Sequence, residues 1–454
     1  MADSYDDIGA RADQLAQRRA RRGEVTEDSL ALTFCAAEPT LRYVALWNRW
    51  MTWTGTTWRE DDTLAVYDRI RAHVRRTTDN DRDWMKAGVV AAVERMAKAD
   101  RRYAATADQW DTCPWLLNTP SGIVDLRSGA LEASDPDQYM TKSTAASPGG
   151  NCPAWLRFLE EITQGDRDYI EFIRRVFGYC ASGSVREHAM FFGYGPGGNG
   201  KGTLLNTVQR IMGDYATVAS METFTDSHAD RHPTDLAMLR GARLVLAQET
   251  EEGRAWAESR IKALTGGDPI TARYMRQDFF TFEPTFKLFV AGNHKPRLKN
   301  VDEAIKRRLY LLPFMVTFKA DQRDPDLPEK LMAEAGGILQ WIIDGAASYH
   351  REGLNPPKVV TDATDQYFAA ENLFEQWLED CCEVAPDRWE RPSALFNAWK
   401  RYADAANVRP GSQNTFAEHL DNAGFPAGNS RARGGRFREG LALKATEEPE
   451  SAWN

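Results

Sequence analysis

Apolar residues follow three rhythms along this chain, and each rhythm predicts a different element. Compact apolar runs occupy its middle: Ala189–Phe192, Leu244–Ala247, the stretch from Lys287 that closes at Asn293, and Leu309–Leu312. Short runs without polar alternation suit strands buried on both faces, as in a parallel sheet. A second rhythm has helical spacing. Leu204, Leu205, Val208, Ile211 and Met212 line one face of a helix directly after the first run. Upstream, Trp155, Phe158, Leu159 and Ile162 share a face, as do Ile170, Ile173, Val176 and Phe177, with Gly165-Asp166 breaking the two helices apart. The third rhythm is alternation. Thr52–Trp58 alternates around a Thr-Gly turn, and Arg273–Phe282 alternates again, so both read as hairpins.

These rhythms divide the chain. Residues 1–37 are charged and helical or flexible. Residues 38–150 form a tryptophan-rich α+β region, with helices near 63–77 and 83–104 and short strands punctuated by Pro120-Ser-Gly and Arg127-Ser-Gly. Residues 151–187 are a helical collar that delivers the chain into an α/β core at 188–320. A helical lid and linker follows at 321–371. A compact block occupies 372–445, with Phe374, Trp377 and Leu378 on one helix, Leu395, Trp399 and Tyr402 on the next, Thr415 opening a third, and a hairpin turning at Gly434-Gly435. Residues 446–454 read as a disordered tail.

Composition narrows the function classes. The 454 residues are 42% hydrophobic, ample for several cores, and the net charge is −9. No global basic field draws nucleic acid, so any DNA contact must be local. Six scattered cysteines with no C-x-x-C pair argue against zinc and disulfide frameworks and for a reducing compartment. The start carries no signal-peptide-like core, and no apolar run reaches membrane-spanning length, so a cytoplasmic protein without membrane contact is expected. Arg18, Arg19, Arg21 and Arg22 make a local basic stretch for which a solvated helix face is the plainer reading. The crowded Trp47, Trp50, Trp53 and Trp58 could stack on bases, but aromatic core packing is the default.

The candidate chemistry lies where the first apolar run meets its helix. Gly195 to Lys201 fits G-x-x-x-x-G-K, the P-loop pattern. Its parts are Gly195, Pro196, Gly197, Gly198, Asn199 and Gly200, then Lys201, Gly202, Thr203 and Leu204. Glycines let backbone N–H groups curl round phosphates, the helix N-terminus faces the anion, and Lys201 reaches the β/γ-phosphates. The residue after the lysine, where a hydroxyl would hold Mg²⁺, is Gly202. Thr203, one place later, is therefore the metal-side candidate. The second run ends in acid, with Glu249 first and Glu251 second in line to hold Mg²⁺ and polarise the attacking water. Asn293, at the tip of the third run, can orient that water. The hairpin after the second run carries Arg273 and Arg276, with Lys262 just upstream.

With these motifs in order, the chain resembles superfamily 3 helicases. The matching stretches are Gly-Pro-Gly-Gly-Asn-Gly-Lys-Gly-Thr, the Ala-Gln-Glu-Thr-Glu strand end, Lys-Ala-Leu-Thr-Gly-Gly-Asp-Pro-Ile-Thr-Ala-Arg with Phe-Glu-Pro-Thr-Phe-Lys, Gly-Asn-His-Lys-Pro, and Arg-Arg-Leu-Tyr-Leu-Leu-Pro-Phe. More narrowly it looks like the phage/plasmid primase–helicase group, related to the poxvirus helicase–primase, over roughly residues 40–320. The resemblance implies an AAA+-like, ATP- and Mg²⁺-dependent ring, usually a hexamer, that translocates on single-stranded or forked DNA. It implies that Glu249 is the Walker B acid, Asn293 the sensor, and Arg307 or Arg308 the arginine finger reaching a neighbour's ATP. Lys262, Arg273 and Arg276 would grip DNA in the central pore. Two features depart from the pattern: Gln248-Glu249 replaces paired acids, and too little chain precedes the core for a primase domain. Helicase activity without priming is therefore expected, with a separate primase or polymerase as partner, in a bacterial host's cytoplasm.

Three helices and a basic Gly-Gly hairpin at the C-terminal end resemble a winged helix, which puts Arg431, Arg433, Arg436 and Arg438 on the DNA backbone. Two other functions remain open on sequence alone. Gly-Lys-Gly-Thr also occurs in nucleotide kinases, and a DNA-binding initiator or regulator could use ATP only to order its oligomer.

Overall fold

The computed structural model describes residues 25–225, 234–248, 256–275, 278–295, 298, 303–406, 408–430 and 435–444. The chain divides into two compact units. The first runs to Cys113 and adds Pro120–Ile123 and Glu132–Ser143; the second holds Pro114–Thr119, Val124–Leu131 and everything from Thr144 onward.

The first unit opens with α1 (Glu27–Ala37), where Thr26 and Ser29 cap each other reciprocally: Thr26 Oγ1 accepts from Ser29 N at 3.0 Å and Ser29 Oγ accepts from Thr26 N at 2.8 Å. Strands β1 (Leu41–Val44), β2 (Arg49–Trp53) and β3 (Trp58–Glu60) form an antiparallel meander, followed by helices α2 (Ala65–Thr77) and α3 (Ala87–Ala99). Strand β4 (Ala104–Ala105) pairs parallel to β1 at the sheet's other edge. Leu30 and Phe34 of α1 are buried with Trp50, Ile70, Val93 and Tyr103. The described part of 1–37 thus belongs to the core that follows it, and its residues 1–24 lie outside the described residues. Trp58 is buried, its Nε1 donating to Pro136 O at 2.8 Å, with the Arg42 guanidinium 5.1 Å over its ring. Trp50 and Trp110 are also buried, as the core-packing reading of the tryptophans expects.

Short strands β5 (Leu116–Thr119), β6 (Gly122–Asp125) and β7 (Ala130–Glu132) lead into the collar helices α4 (Pro153–Thr163) and α5 (Arg167–Ala181). The break between them is made by Asp166, whose side chain accepts from Tyr169 N at 3.0 Å and caps α5. The core that follows alternates strand and helix: β8 (Met190–Tyr194), α6 (Lys201–Met212), β9 (Ala216–Val218), α7 (Thr234–Ala237), β10 (Leu244–Gln248), α8 (Glu258–Thr265), the pair β11 (Ile270–Ala272) and β12 (Phe280–Phe282), β13 (Lys287–Gly292), α9 (Glu303–Lys306) and β14 (Leu309–Pro313). Five of these strands form one parallel sheet in the order β14–β8–β13–β10–β9. Both faces are covered, which is why the strands read as unbroken apolar runs. Leu204, Leu205 and Val208 of α6 pack on one face with Phe177 and Phe289, while Trp256, Ile261, Leu264 and Tyr367 close the other.

Helices α10 (Leu327–Ala333), α11 (Ala335–Glu352) and α12 (Lys358–Cys381) complete the core. Helices α5 and α11 meet backbone to backbone: a Cβ on Gly178 would stand 2.1 Å from Ala346 N, and one on Gly345 would stand 2.2 Å from Arg174 O. Arg243 rivets three segments in the interior, donating to Ala181 O at 2.8 Å and Leu116 O at 2.7 Å beneath the Tyr215 ring.

Helix α12 runs unbroken across the boundary expected at 371/372. Its end joins β15 (Cys382–Glu390), α13 (Pro392–Ala405), α14 (Gln413–Asn422), β16 (Ala427–Ser430) and β17 (Gly435–Leu443), with the strands antiparallel in the order β15–β17–β16. Phe374, Trp377, Trp399, Phe416 and Leu441 form the core of this block. No described helix is long and apolar enough to cross a membrane.

Candidate functional site

The loop from β8 to α6 has a shape that only glycine permits at three places. Gly195, Gly198 and Gly200 have φ of +142°, +75° and +86°. A Cβ on Gly195 would also stand 2.0 Å from Phe314 O. The loop is braced from behind by the segment after β14. Phe314 N donates to Tyr194 O at 2.8 Å, Phe318 N donates to Gly198 O at 2.9 Å, and the buried Asn199 side chain donates to Phe314 O at 2.7 Å. Asn199, a variable place in the G-x-x-x-x-G-K pattern, is thus the latch that fixes the loop's curvature. Gly197 and Gly202 face open space, so Gly202 is not demanded by crowding.

Lys201 opens α6. It is 7% exposed and its Nζ donates to Gly195 O at 2.7 Å. Burial lowers its pKa from 10.5 to about 8. Thr203 is half-buried and Leu204 is buried in the core beneath. An ammonium, the open N-terminal turn of a twelve-residue helix and a glycine loop without side chains make a donor set that fits a polyphosphate.

This chemistry gives a pH signature. Phosphate oxygens bind the charged lysine, and the free chain loses that charge above pH 8. A triphosphate held by this loop should therefore bind with steady affinity below pH 8 and more weakly as pH rises through it, by up to about tenfold per unit. Titrating a fluorescent ATP analogue from pH 7 to 9.5 checks this, and K201A should abolish the dependence.

Asn293 is exposed and sits one residue past β13. Gly292 registers with Tyr194, so Asn293 emerges beside Gly195 at the same edge of the sheet. Strand β10 ends next to it, Gln248 registering with Ala291. Glu249 and Glu251 lie outside the described residues, which leaves Thr203 as the described member of the expected Mg²⁺ set. Near Asn293 a cleft of about 790 Å³ is lined by Tyr194, His294, Lys295, Glu371, Arg409 and His419. It is bridged by His294 Nδ1 and Glu418 of α14 at 3.4 Å. Burial lowers the Lys295 pKa to about 8, and its ammonium lies 4.1 Å over the Tyr194 ring.

Arg307 and Arg308 precede β14, whose Leu309 registers with Met190 at the start of β8. They therefore stand at the opposite edge of the sheet from the glycine loop. Five residues of parallel strand separate the two edges, about 16 Å. The structure distinguishes the two arginines. Arg307 is exposed. Arg308 is 8% exposed and folds back so that Nη1 donates to Ala304 O at 2.7 Å. Arg308, expected as an alternative finger, is turned into the core.

The expected hairpin exists, with Ile270, Thr271 and Ala272 opposite Phe282, Thr281 and Phe280. Arg273 lies 4.9 Å over the Phe279 ring, and Arg276 is outside the described residues. Lys262 is half-buried on α8, off the hairpin. The sequence reading concentrated on the arginines and missed the exposed apolar tip: Met275 is 69% and Phe279 60% exposed. Both lie in the connection between β11 and β12, outside the paired strands.

In the C-terminal block, Arg436 is exposed on β17. Arg438, expected on the DNA backbone, is instead buried, paired with Asp421 and donating to Phe425 O at 3.0 Å. Its pairing with Asp421 and its bond to Phe425 O, not strand alternation, fold it in and tie β17 to α14. Arg431 and Arg433 lie outside the described residues.

Residues 32–164 match the family described as "D5 N terminal like". Residues 193–308 match a family of unknown function, DUF5906. The chain is similar to "Putative helicase L207/L206" of Acanthamoeba polyphaga mimivirus, 26% identical over 59% of this chain and 30% of that protein. It is similar to "Putative helicase 022R" of Frog virus 3, 25% identical over 52% of this chain and 26% of that protein. It is similar to "Putative primase C962R" of African swine fever virus, 26% identical over 63% of this chain and 30% of that protein. The chain spans less than a third of the length of each of these relatives. Among solved structures, the apo NrS-1 C-terminal region aligns over 85% of this chain and 84% of that one, at 10% identity and a TM-score of 0.46. The family match and the relatives together support a D5-like primase–helicase family.

Proposed function

We propose that this chain is an ATP-driven DNA helicase motor of replication, with an AAA+-like superfamily 3 core that works as a ring. The observation that carries this reading is the shared sheet edge, where the glycine loop with Lys201 and the Asn293 tip of the neighbouring strand stand side by side. Strand β8 lies between β14 and β13, and ligands of parallel α/β sheets bind outside the carboxyl ends of the strands.

The residues divide the work as follows. Amides of the loop from Gly195 to Thr203 and the Lys201 ammonium hold the triphosphate. Asn293 orients the attacking water, which Glu249, or in second place Glu251, polarises. Mg²⁺, held by Thr203 and Glu249, would neutralise charge on the phosphates. Arg307 precedes β14, at the opposite end of the strands from its own chain's loop, and in this reading its target is the nucleotide of a neighbouring copy. That geometry supports an assembled ring, a hexamer in the superfamily pattern. The β11–β12 hairpin grips single-stranded DNA. Arg273 and Arg276 meet phosphates, Lys262 adds charge from α8, and Met275 and Phe279 offer apolar surface to bases.

The C-terminal block runs helix, strand, helix, helix, strand, strand, which supports a winged-helix reading with Arg431, Arg433 and Arg436 on the DNA backbone. Its third helix, α14, faces the cleft beside Asn293 through the His294–Glu418 pair. In this reading the chain works on forked DNA in the host cytoplasm beside a separate primase or polymerase.

Steady-state ATPase with and without single-stranded DNA, combined with native mass measurement, tests the proposal. Hydrolysis should rise with DNA and with assembly. R307A should bind nucleotide and assemble as the wild type does, yet hydrolyse about 10³-fold more slowly, since a trans arginine supplies that order of rate. A fully active monomer indifferent to DNA would sink the reading.

A further inference from the structure

Arg323 belongs to no motif, yet it lies against the glycine loop. Its Nη2 stands 2.5 Å, and its Cζ 3.2 Å, from where a Cβ on Gly198 would be. The space cleared by that glycine is filled by a guanidinium. The arginine is also tethered. Its Nε donates to Phe318 O at 3.0 Å, while Phe318 N donates to Gly198 O at 2.9 Å. Lys319 N donates to Gln322 Oε1 at 2.9 Å and fixes the turn (Ala320–Gln322) that delivers it.

The adjacent acid is occupied elsewhere. Asp324 pairs with Lys330 and accepts from Asp326 N at 3.0 Å. Among the described residues no carboxylate pairs with Arg323, and its side chain is exposed. A guanidinium held by one nitrogen presents the rest of its planar fork to another acceptor. The loop it overlies is the one whose donor set fits a polyphosphate.

We propose that Arg323 is a phosphate-binding arginine acting within its own chain, reaching over Gly198 to the outer phosphates of the triphosphate that Lys201 holds. This rests on the nucleotide reading above. Each site would then have one arginine from its own chain and one, Arg307, from the neighbour. The two arginines differ in kind. Arg323 is already at the loop in the single chain and contributes to binding, whereas Arg307 contributes only after assembly.

The test is equilibrium binding of fluorescent ATP, ADP and AMP analogues to the full chain, comparing wild type with R323A, R323K and K201A, alongside thermal unfolding. R323A should bind the triphosphate about tenfold more weakly or worse, as expected for a lost charge-assisted contact. It should lose less for the diphosphate and nothing for the monophosphate, with an unchanged unfolding midpoint, and R323K should recover part of the loss. Equal triphosphate affinity in R323A and wild type overturns the proposal. So does an equal loss for all three nucleotides, which would make Arg323 a brace of loop shape. A wild-type chain that binds no triphosphate overturns the nucleotide reading and this inference together.

Discussion

On the proposed mechanism, K201A should hydrolyse ATP at least 100-fold more slowly than the wild type and unwind no DNA, while its fold survives. The size follows from what one fixed donor contributes to a phosphoryl-transfer site sheltered from water, roughly two to three orders of magnitude in rate. Lys201 is the one cation inside the loop's own sequence, and among the described residues its ammonium is anchored by Gly195 O at 2.7 Å. Losing that bond alters the loop but opens no gap in the main core, where Leu204, Leu205 and Val208 make the helix's contacts. ATPase rate and thermal midpoint measured on the same preparation check both halves of this result. A K201A chain that keeps the wild-type rate would remove the lysine from the mechanism. K201R, which keeps the charge but spreads it over a bulkier planar head, should stay far below wild type.

The second large effect is on folding. G178A should destabilise the core by about 3 kcal/mol or more, and G178V should prevent soluble folding, because α5 and α11 touch through main-chain atoms that cannot rotate aside. The added Cβ would stand 2.1 Å from Ala346 N and 2.2 Å from Gly345 C. Gly345 makes the reciprocal contact with Arg174, so G345A should behave alike. G202A is the control. Its Cβ meets nothing within 4 Å, so its stability should be unchanged or raised by up to about 1 kcal/mol. Denaturant midpoints of the three variants decide the matter, and a G178A midpoint equal to that of G202A would mean the helices can separate without cost.

What the chain reveals before folding depends on whether the signal is local. The strands β8, β10, β13 and β14 were legible because each is buried on both faces and reads as an unbroken apolar run. The glycine loop was legible because left-handed backbone at Gly198 and Gly200 leaves few residue choices. The break between α4 and α5 announced itself through Gly165 and the capping Asp166. The side-by-side emergence of the loop and Asn293 was not legible, since it depends on which strands pair, and pairing joins residues about 100 positions apart.

Neighbouring arginines defeated sequence reasoning for a different reason. Arg307 and Arg308 are chemically identical, and only the turn into β14 sends one outward and the other onto Ala304 O. Arg438 looked like part of a basic cluster, and Asp421, which neutralises it, is seventeen residues away on another element. The stretch drawn as 1–37 includes α1, whose charges, Glu27 and Asp28, sit in its first turn while Leu30 and Phe34 are buried in the first unit's core. Asn199 was legible as part of the P-loop but not as its latch, and Arg323 was not legible at all, because each donates to a main-chain carbonyl, Phe314 O and Phe318 O, that no motif records.

The opposed positions of the glycine loop and Arg307 carry a consequence for stoichiometry. On the proposed mechanism, in which Arg307 serves a neighbour's nucleotide, a solitary chain owns half of two catalytic centres and no complete one. An open row of copies has one fewer working centre than it has subunits, and only closure makes the numbers equal. Turnover per subunit then depends on protein concentration, vanishing when copies separate and levelling off once every loop has a neighbour.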